Sequence, residues 1–312
     1  MSWKPLTQRS EPEPMGLASP RSPAVEAFAS NPRTRSFEIG MQPLDPENWI
    51  EVDDRLEFYR REKSRLIVED RDAVWRARSD SLTAQVEVRD GILAYLAEHY
   101  PAVFAIADAD TDFTDEHSAA PLLWVSRFLQ DDLVLMRKID GTWRLAAGSV
   151  CFPSTWAIAD KFDRSMAEIH DPVPGFAGRM ARMVDRIFDN LKPGQPVIRH
   201  NVSLYPDGNL DHRTGPDRPH RGEWPRGRLI DTYLRVERQT LMCMPESGDI
   251  LFTIKVMSDP ISALRCDPQG EDVARRLIAD MQVIRQDQRE YKTIGSVWPE
   301  LIAEIERSVL GG

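Results

Sequence analysis

At 312 residues, 41 % hydrophobic and 29 % charged, the chain is long enough for one large domain or two modest ones, and its composition excludes collagen, a coiled coil and wholesale disorder. Forty Lys and Arg against 50 Asp and Glu leave a formal charge of -10, the wrong sign for a chain whose main partner is nucleic acid. No apolar run reaches the ~18 residues of a membrane span, and the N-terminal residues lack the basic and apolar regions of a secretory signal, so a cytoplasmic chain is expected.

From Met1 to about Ser36 the sequence is rich in Pro, Ser and Arg without sustained apolar periodicity, which predicts a mobile leader over 1–36. An N-terminal helical extension follows over 37–128. Leu56, Tyr59, Lys63, Leu66, Ile67 and Val74 keep helical spacing across Asp53–Val74. Gly91–His99 reads as a second helix, stopped at Tyr100 because the residue before a proline is pushed out of the helical region. The Asp-rich stretch Asp108–Glu116 reads as a solvated loop.

The character of the chain changes near Leu129, and a core is expected over 129–262. Asp131–Met136 and Trp143–Phe152 read as strands joined through Asp140-Gly141, a strong hairpin signal. Pro153 ends the second strand, Ser154–Ile169 carries helical spacing, His170–Gly175 is a proline-broken turn, and Ala177–Leu191 is a further helix. Three strands complete the core: Val197–Tyr205, Leu229–Met244 and Asp249–Met257, the last two linked by Pro245-Glu246-Ser247-Gly248. A polar insertion over 206–228 separates the first two of these. Over 263–312, Gly270–Tyr291 and Trp298–Leu310 carry helical stripes. The order predicts an α+β fold, an antiparallel five-stranded sheet with helices on one side and helical extensions at both ends. Two strands, a helical crossover and a three-stranded meander is the connectivity of a PAS domain, a scaffold that holds haem, flavin or small ligands.

The three cysteines, Cys151, Cys243 and Cys266, are odd in number and far apart, so they offer neither a disulfide framework nor a metal knuckle. Any iron–sulfur cluster used by this protein is therefore expected on another chain.

Taken in order, Trp143-Arg-Leu-Ala-Ala-Gly-Ser-Val-Cys-Phe-Pro-Ser-Thr-Trp156, Lys161, Ile169-His-Asp-Pro-Val-Pro174, Arg199-His-Asn201, Leu234-Arg-Val-Glu-Arg-Gln-Thr-Leu241 and Pro245-Glu-Ser-Gly-Asp-Ile-Leu-Phe-Thr-Ile254 resemble the haem-dependent oxidative N-demethylase family, specifically its α subunit. The similarity begins around Met41–Trp49 and covers most of the chain. The resemblance implies a PAS-like haem-binding core and an enzyme that uses haem b, with its iron, and dioxygen to remove a methyl group from a small secondary amine of the dimethylamine type. It also implies NADPH-derived electrons delivered by a reductase subunit, with flavin and a 2Fe-2S centre only on partner chains. The sequence has no Gly-rich dinucleotide fingerprint opening a helix, in keeping with that division of labour. Two positions depart from the family. Val202 stands where members carry tryptophan, a change expected to enlarge the pocket, and Met242-Cys243-Met244 replaces a more basic segment that bears on packing or docking.

Within this frame His170 is the candidate proximal haem and metal ligand, at a helix end fixed by Pro172 and Pro174; the alternative is a capping histidine on the last helical carbonyls. Arg199 and Asn201 share a strand face, where a cation and an amide could polarise dioxygen; an ordinary salt bridge and sheet amide is the other reading. His200 faces the opposite way. Tyr233, Arg235, Glu237 and Gln239 form the polar face of their strand, with Glu237 the candidate counter-ion for a protonated amine and Arg235 its support. Arg238 falls on the apolar face, which makes it a candidate anchor for a haem propionate. His212 and His220 lack the helpers of a zinc pair, and Met166, Met180 and Met183 read as plain core. Two other functional classes stay open: a PAS-type haem or small-ligand sensor without turnover, for which no output module is visible, and a member that has lost haem and serves as a binding protein.

Overall fold

The computed structural model describes residues 22–30, 40–110, 112–171, 179–213, 229–284, 286 and 297–311. Its frame is one antiparallel sheet of seven strands: β1 (Gln42–Pro43), β2 (Trp75–Ala77), β3 (Asp132–Ile139), β4 (Thr142–Ser149), β5 (Val197–Tyr205), β6 (Tyr233–Cys243) and β7 (Ile250–Pro260). In space they run β1-β5-β6-β7-β3-β4-β2. The five expected strands are all present and contiguous at the centre. The expected count is corrected by two short edge strands from the N-terminal extension, β1 on β5 (Gln42↔Ile198) and β2 on β4 (Trp75↔Ser149). Segments this short have no room to display an alternation of their own. The Asp140-Gly141 hairpin forms as read, with φ of 49° and 78° at its two central residues, the positive values that a tight two-residue turn needs.

Twelve helices surround the sheet among the described residues. Those before it are α1 (Pro23–Ala29), α2 (Leu56–Glu69), α3 (Arg71–Val74), α4 (Leu82–His99), α5 (Pro101–Asp108), α6 (Thr114–Ala119) and α7 (Pro121–Ser126). The crossover between β4 and β5 carries α8 (Ile158–Lys161), α9 (Met166–Ile169) and α10 (Arg179–Asn190); the C-terminal part carries α11 (Gly270–Val283) and α12 (Trp298–Val309). The single helix expected over 154–169 is therefore two short turns, divided where Asp163 takes a φ of 58°. Within the stretch expected to be a mobile leader, α1 is an ordered helix. It buries Ala24, Val25 and Phe28, and its Ala24 N–H donates to Asp259 at 2.6 Å. The reading of Asp108–Glu116 as a loop is interrupted by α6.

The expectation of helices on one side of the sheet is also corrected. On β3, Leu133 and Leu135 join a core with Leu66 of α2, Ile92 of α4 and Leu123 of α7, whereas the alternate residues Val134 and Met136 join Ile158 of α8, Met166 of α9 and Phe188 of α10. Successive strand residues point to opposite faces, so both faces are covered. A third cluster packs Val202, Leu204, Leu234 and Val236 against α1, α11 and α12. No described helix is long and apolar enough to cross a membrane.

Lys63 sits inside the apolar stripe of α2 and is fully buried. Its Nζ donates to the carbonyls of Asp131 and of Ser126 (3.2 Å) and lies 3.6 Å from Oδ1 of the equally buried Asp132. The Asp132 carboxylate in turn accepts the backbone N–H groups of Cys151 (2.9 Å) and Phe152 (2.8 Å). Lys63→Met would leave a buried carboxylate without its cation and two carbonyls without a donor. It should lower the unfolding free energy by roughly 3–5 kcal/mol in a urea titration at neutral pH; a loss within about 1 kcal/mol, the range of an exposed pair, would make the buried pair dispensable.

A second test uses pH. His200 lies opposite Arg238 in the β5–β6 register, and burial, then the charges of Arg238, Arg276 and Arg199, lower its value from 6.5 to about 4. The folded state thus keeps the imidazole neutral where the unfolded chain protonates it. The resulting stability is complete above 6.5 and is lost as pH falls towards 4. His200→Gln should remove this contribution, so the parent should lose more stability than the variant between pH 7 and about 4 in parallel denaturant titrations. Parallel curves would exclude His200 as the source.

Candidate functional site

The β5–β6 register builds the site. Arg199 pairs with Gln239, Asn201 with Glu237 and Ser203 with Arg235, so three successive polar rows lie on one face of the sheet. Glu237, 6 % exposed, is their hub. Its Oε2 accepts from the side-chain amides of Asn201 (3.1 Å) and Gln239 (2.8 Å), and its Oε1 accepts from the Ser154 hydroxyl. Arg235 is fully buried. Its Nε donates to Ser154 Oγ at 3.1 Å and lies 3.6 Å from Glu237 Oε1, while its other nitrogens donate to the carbonyls of Leu210 (3.0 Å) and Phe152 (2.7 Å). The guanidinium also sits 5.3 Å from the Tyr205 ring centre. A planar cation with several fixed donors suits this place, because each carbonyl around it needs one.

Ser154 is the member that sequence reasoning missed. It follows Pro153 in a segment expected to start a helix, and nothing in its spacing marks it. The structure instead puts it at a corner, in an isolated bridge to His212, followed by Thr155 with a φ of 62°. A β-branched residue in the left-handed region is strained, and it persists only where neighbours hold it. Here the Thr155 N–H donates to the His212 carbonyl at 3.1 Å and the His212 N–H donates to the Pro153 carbonyl at 3.2 Å.

His170 ends α9, a helical turn opened by reciprocal capping between Ser165 and Glu168. Its Nδ1 lies 2.9 Å from the Met166 carbonyl. A carbonyl only accepts, so Nδ1 carries the proton and the ring lone pair lies at Nε2, the tautomer that a metal-ligating histidine needs. The capping alternative is thus present in the same residue, since one nitrogen serves the helix end and the other is set for an acceptor or ligand role. Burial, followed by the charges of Lys161 and Arg199, pushes His170 below the usual histidine range, which favours the neutral imidazole. Lys161 donates to the Ile169 carbonyl beside it. Burial likewise pushes the Arg199 guanidinium down against the opposing pull of Glu237, and its buried Nε has no hydrogen-bond partner among the described residues. Arg199 lies on the sheet face of Glu237, one polar row away.

The structure does not bring Arg238 to this group. It points to the opposite face, where its nitrogens donate to the carbonyls of Trp49 (3.0 Å) and Asn48 and its Nε lies 3.0 Å from Glu51 Oε1. This engagement opposes the reading of Arg238 as a propionate anchor. Val202 is on that opposite face too, in the core against the terminal helices, so the departure there concerns packing and not the polar face. His212 stacks on Tyr205 with ring centres 4.1 Å apart, while His220 lies outside the described residues. Met166 is buried as expected, Met183 is 43 % exposed, and the Met180 side chain lies outside the description.

Among the described residues no cluster of three or more His, Cys, Asp and Glu is arranged for a metal ion. The His170 imidazole, with Nδ1 held by a carbonyl, and the buried Nε of Arg199, which has no hydrogen-bond partner among the described residues, fit haem, which would take a nitrogen ligand from the protein. The sequence model of the family described as haem-dependent oxidative N-demethylase, alpha subunit-like, matches residues 40–302, well over half of the chain, and the chain belongs to that family.

Proposed function

We propose that this chain is the haem-bearing subunit of an enzyme that oxidatively demethylates a small secondary amine, in which His170 would hold the haem iron, Arg199 would be the polarising cation and Glu237 the counter-ion of the protonated substrate. The observation that carries the reading is the buried Glu237 carboxylate, held by Asn201, Gln239 and Ser154 on the sheet face that Arg199 shares. Family membership supports the haem, and the two-strand, helical crossover, three-strand connectivity supports a PAS-like core.

Haem, when bound, supplies the dioxygen activation and the oxidation of the N-methyl group. In the balance, dioxygen, an electron pair and protons convert the secondary amine to the primary amine, formaldehyde and water. The electrons derive from NADPH through partner chains that carry flavin and a 2Fe-2S centre. The residues of this chain bind and orient. His170 presents Nε2 because the Met166 carbonyl holds its other nitrogen. Arg199 offers a fixed positive charge to a developing negative one, an interaction strengthened by its burial. Asn201, expected beside Arg199 as a donor towards the cofactor, directs its N–H to Glu237 and holds that carboxylate together with Gln239. Arg235 acts through the same carboxylate and through the corner it clamps, without contact to the amine.

Two variants test the proposal on protein expressed with ample haem. His170→Ala should lose the Soret band while its circular dichroism stays that of the parent; a folded parent without any Soret band would overturn the oxidase reading and leave a PAS-like binding protein. Glu237→Gln should keep the band yet bind dimethylamine roughly 10–100-fold more weakly in a spectral titration, the loss expected for a charge-assisted hydrogen bond. Equal loss of haem and amine binding would make Glu237 a structural residue.

A further inference from the structure

We infer that Ser154 is a positioning residue that holds the Glu237 carboxylate out of direct hydrogen-bond contact with Arg235 and so oriented for a cationic ligand; the inference rests on the reading of Glu237 given above. The direction of its hydroxyl proton follows from its two neighbours. Arg235 Nε only donates, at 3.1 Å, so Ser154 Oγ accepts there. A carboxylate only accepts, so the one hydroxyl proton points at Glu237 Oε1. The hydroxyl therefore stands as a wedge between a guanidinium and a carboxylate that are two residues apart on one face of β6 and already within 3.6 Å.

The other carboxylate oxygen is held by Asn201 and Gln239, which come from β5 and β6. Ser154, on the corner after β4, stands between Oε1 and Arg235. Removing the hydroxyl lets this pair close from 3.6 Å to hydrogen-bond distance, where Arg235 competes with an ammonium ligand for the same oxygen. The backbone is arranged to keep the wedge in place. Thr155 is held in its strained conformation by the His212 carbonyl, and its own hydroxyl donates to the Ser154 carbonyl at 2.6 Å. Strain retained at a corner whose side chain touches a buried carboxylate is the pattern expected of a functional constraint.

The test compares haem-loaded parent, Ser154→Ala and Ser154→Thr by isothermal titration calorimetry with dimethylamine hydrochloride, with the Soret band recorded for each. The alanine variant should raise the amine Kd by about tenfold, the size of one hydrogen bond to a charged group, with an unchanged Soret band and a rise in KM that exceeds any fall in kcat. Ser154→Thr, which keeps the hydroxyl, should restore the parent affinity. An alanine variant that binds amine as the parent does overturns the inference, and so does joint loss of haem and amine binding in both variants, which would make the corner purely structural. A parent that holds haem but binds no amine instead withdraws the reading of Glu237 itself, and the role of Ser154 with it.

Discussion

A buried lysine–aspartate pair organises this molecule. Lys63 and Asp132 are removed from water together, a costly step unless each finds further hydrogen-bonding partners. Lys63 finds the carbonyls where α7 runs into β3, and Asp132 finds the N–H groups of Cys151 and Phe152 just after β4. The pair therefore ties the N-terminal extension to β3 and fixes the course of the chain beyond β4. From that point the polar chain continues without a break. The Phe152 carbonyl accepts from Arg235, Arg235 donates to Ser154, Ser154 donates to Glu237, and Glu237 is steadied by Asn201 and Gln239. The acidic group proposed to meet the amine is thus connected, through backbone and side chains, to the lysine of α2.

The sheet carries buried charge on both faces, and the extension answers the charge on the second one. Arg238 and Lys255 are directly opposite one another on β6 and β7, an arrangement of like charges that is unfavourable by itself. The segment between β1 and α2 crosses them and supplies Glu51 to Arg238 and Asp53 to Lys255, the latter at 2.8 Å. Burial tends to raise Asp53, but the charge and hydrogen bond of Lys255 outweigh it and hold the carboxyl low. The N-terminal extension is therefore more than a hydrophobic cover, because without its carboxylates and carbonyls two cations would be stranded under the helices. The same logic joins α4 to the β6–β7 turn, where the Glu87 carboxylate accepts the N–H groups of Glu246 and Ser247.

Much of this architecture was legible in residue order. The five central strands follow from runs of alternating and β-branched residues, the hairpin from Asp140-Gly141, and the helix at Leu56–Glu69 from its apolar stripe. The polar face holding Arg199, Asn201, Arg235 and Glu237 follows from the two-residue period of a strand. The edge strands β1 and β2, the docked helix α1 and the division of the crossover into α8 and α9 were not legible. Each depends on pairing or packing with residues more than fifty positions away, or on a single residue with positive φ, and neither leaves a periodic trace.

The sequence by itself determined which residues share a strand face and that Lys63 lies in an apolar stripe, because local geometry sets both. Tertiary structure alone decided what each buried charge meets. Arg235 and Arg238 are three residues apart on one strand and both are buried, yet one supports Glu237 through Ser154 while the other clamps Asn48, Trp49 and Glu51. A strand fixes the direction in which a side chain leaves the backbone. The partner waiting there comes from a distant segment, and in low-dielectric surroundings it is the partner that makes a buried charge a support for the site or a clamp for the fold.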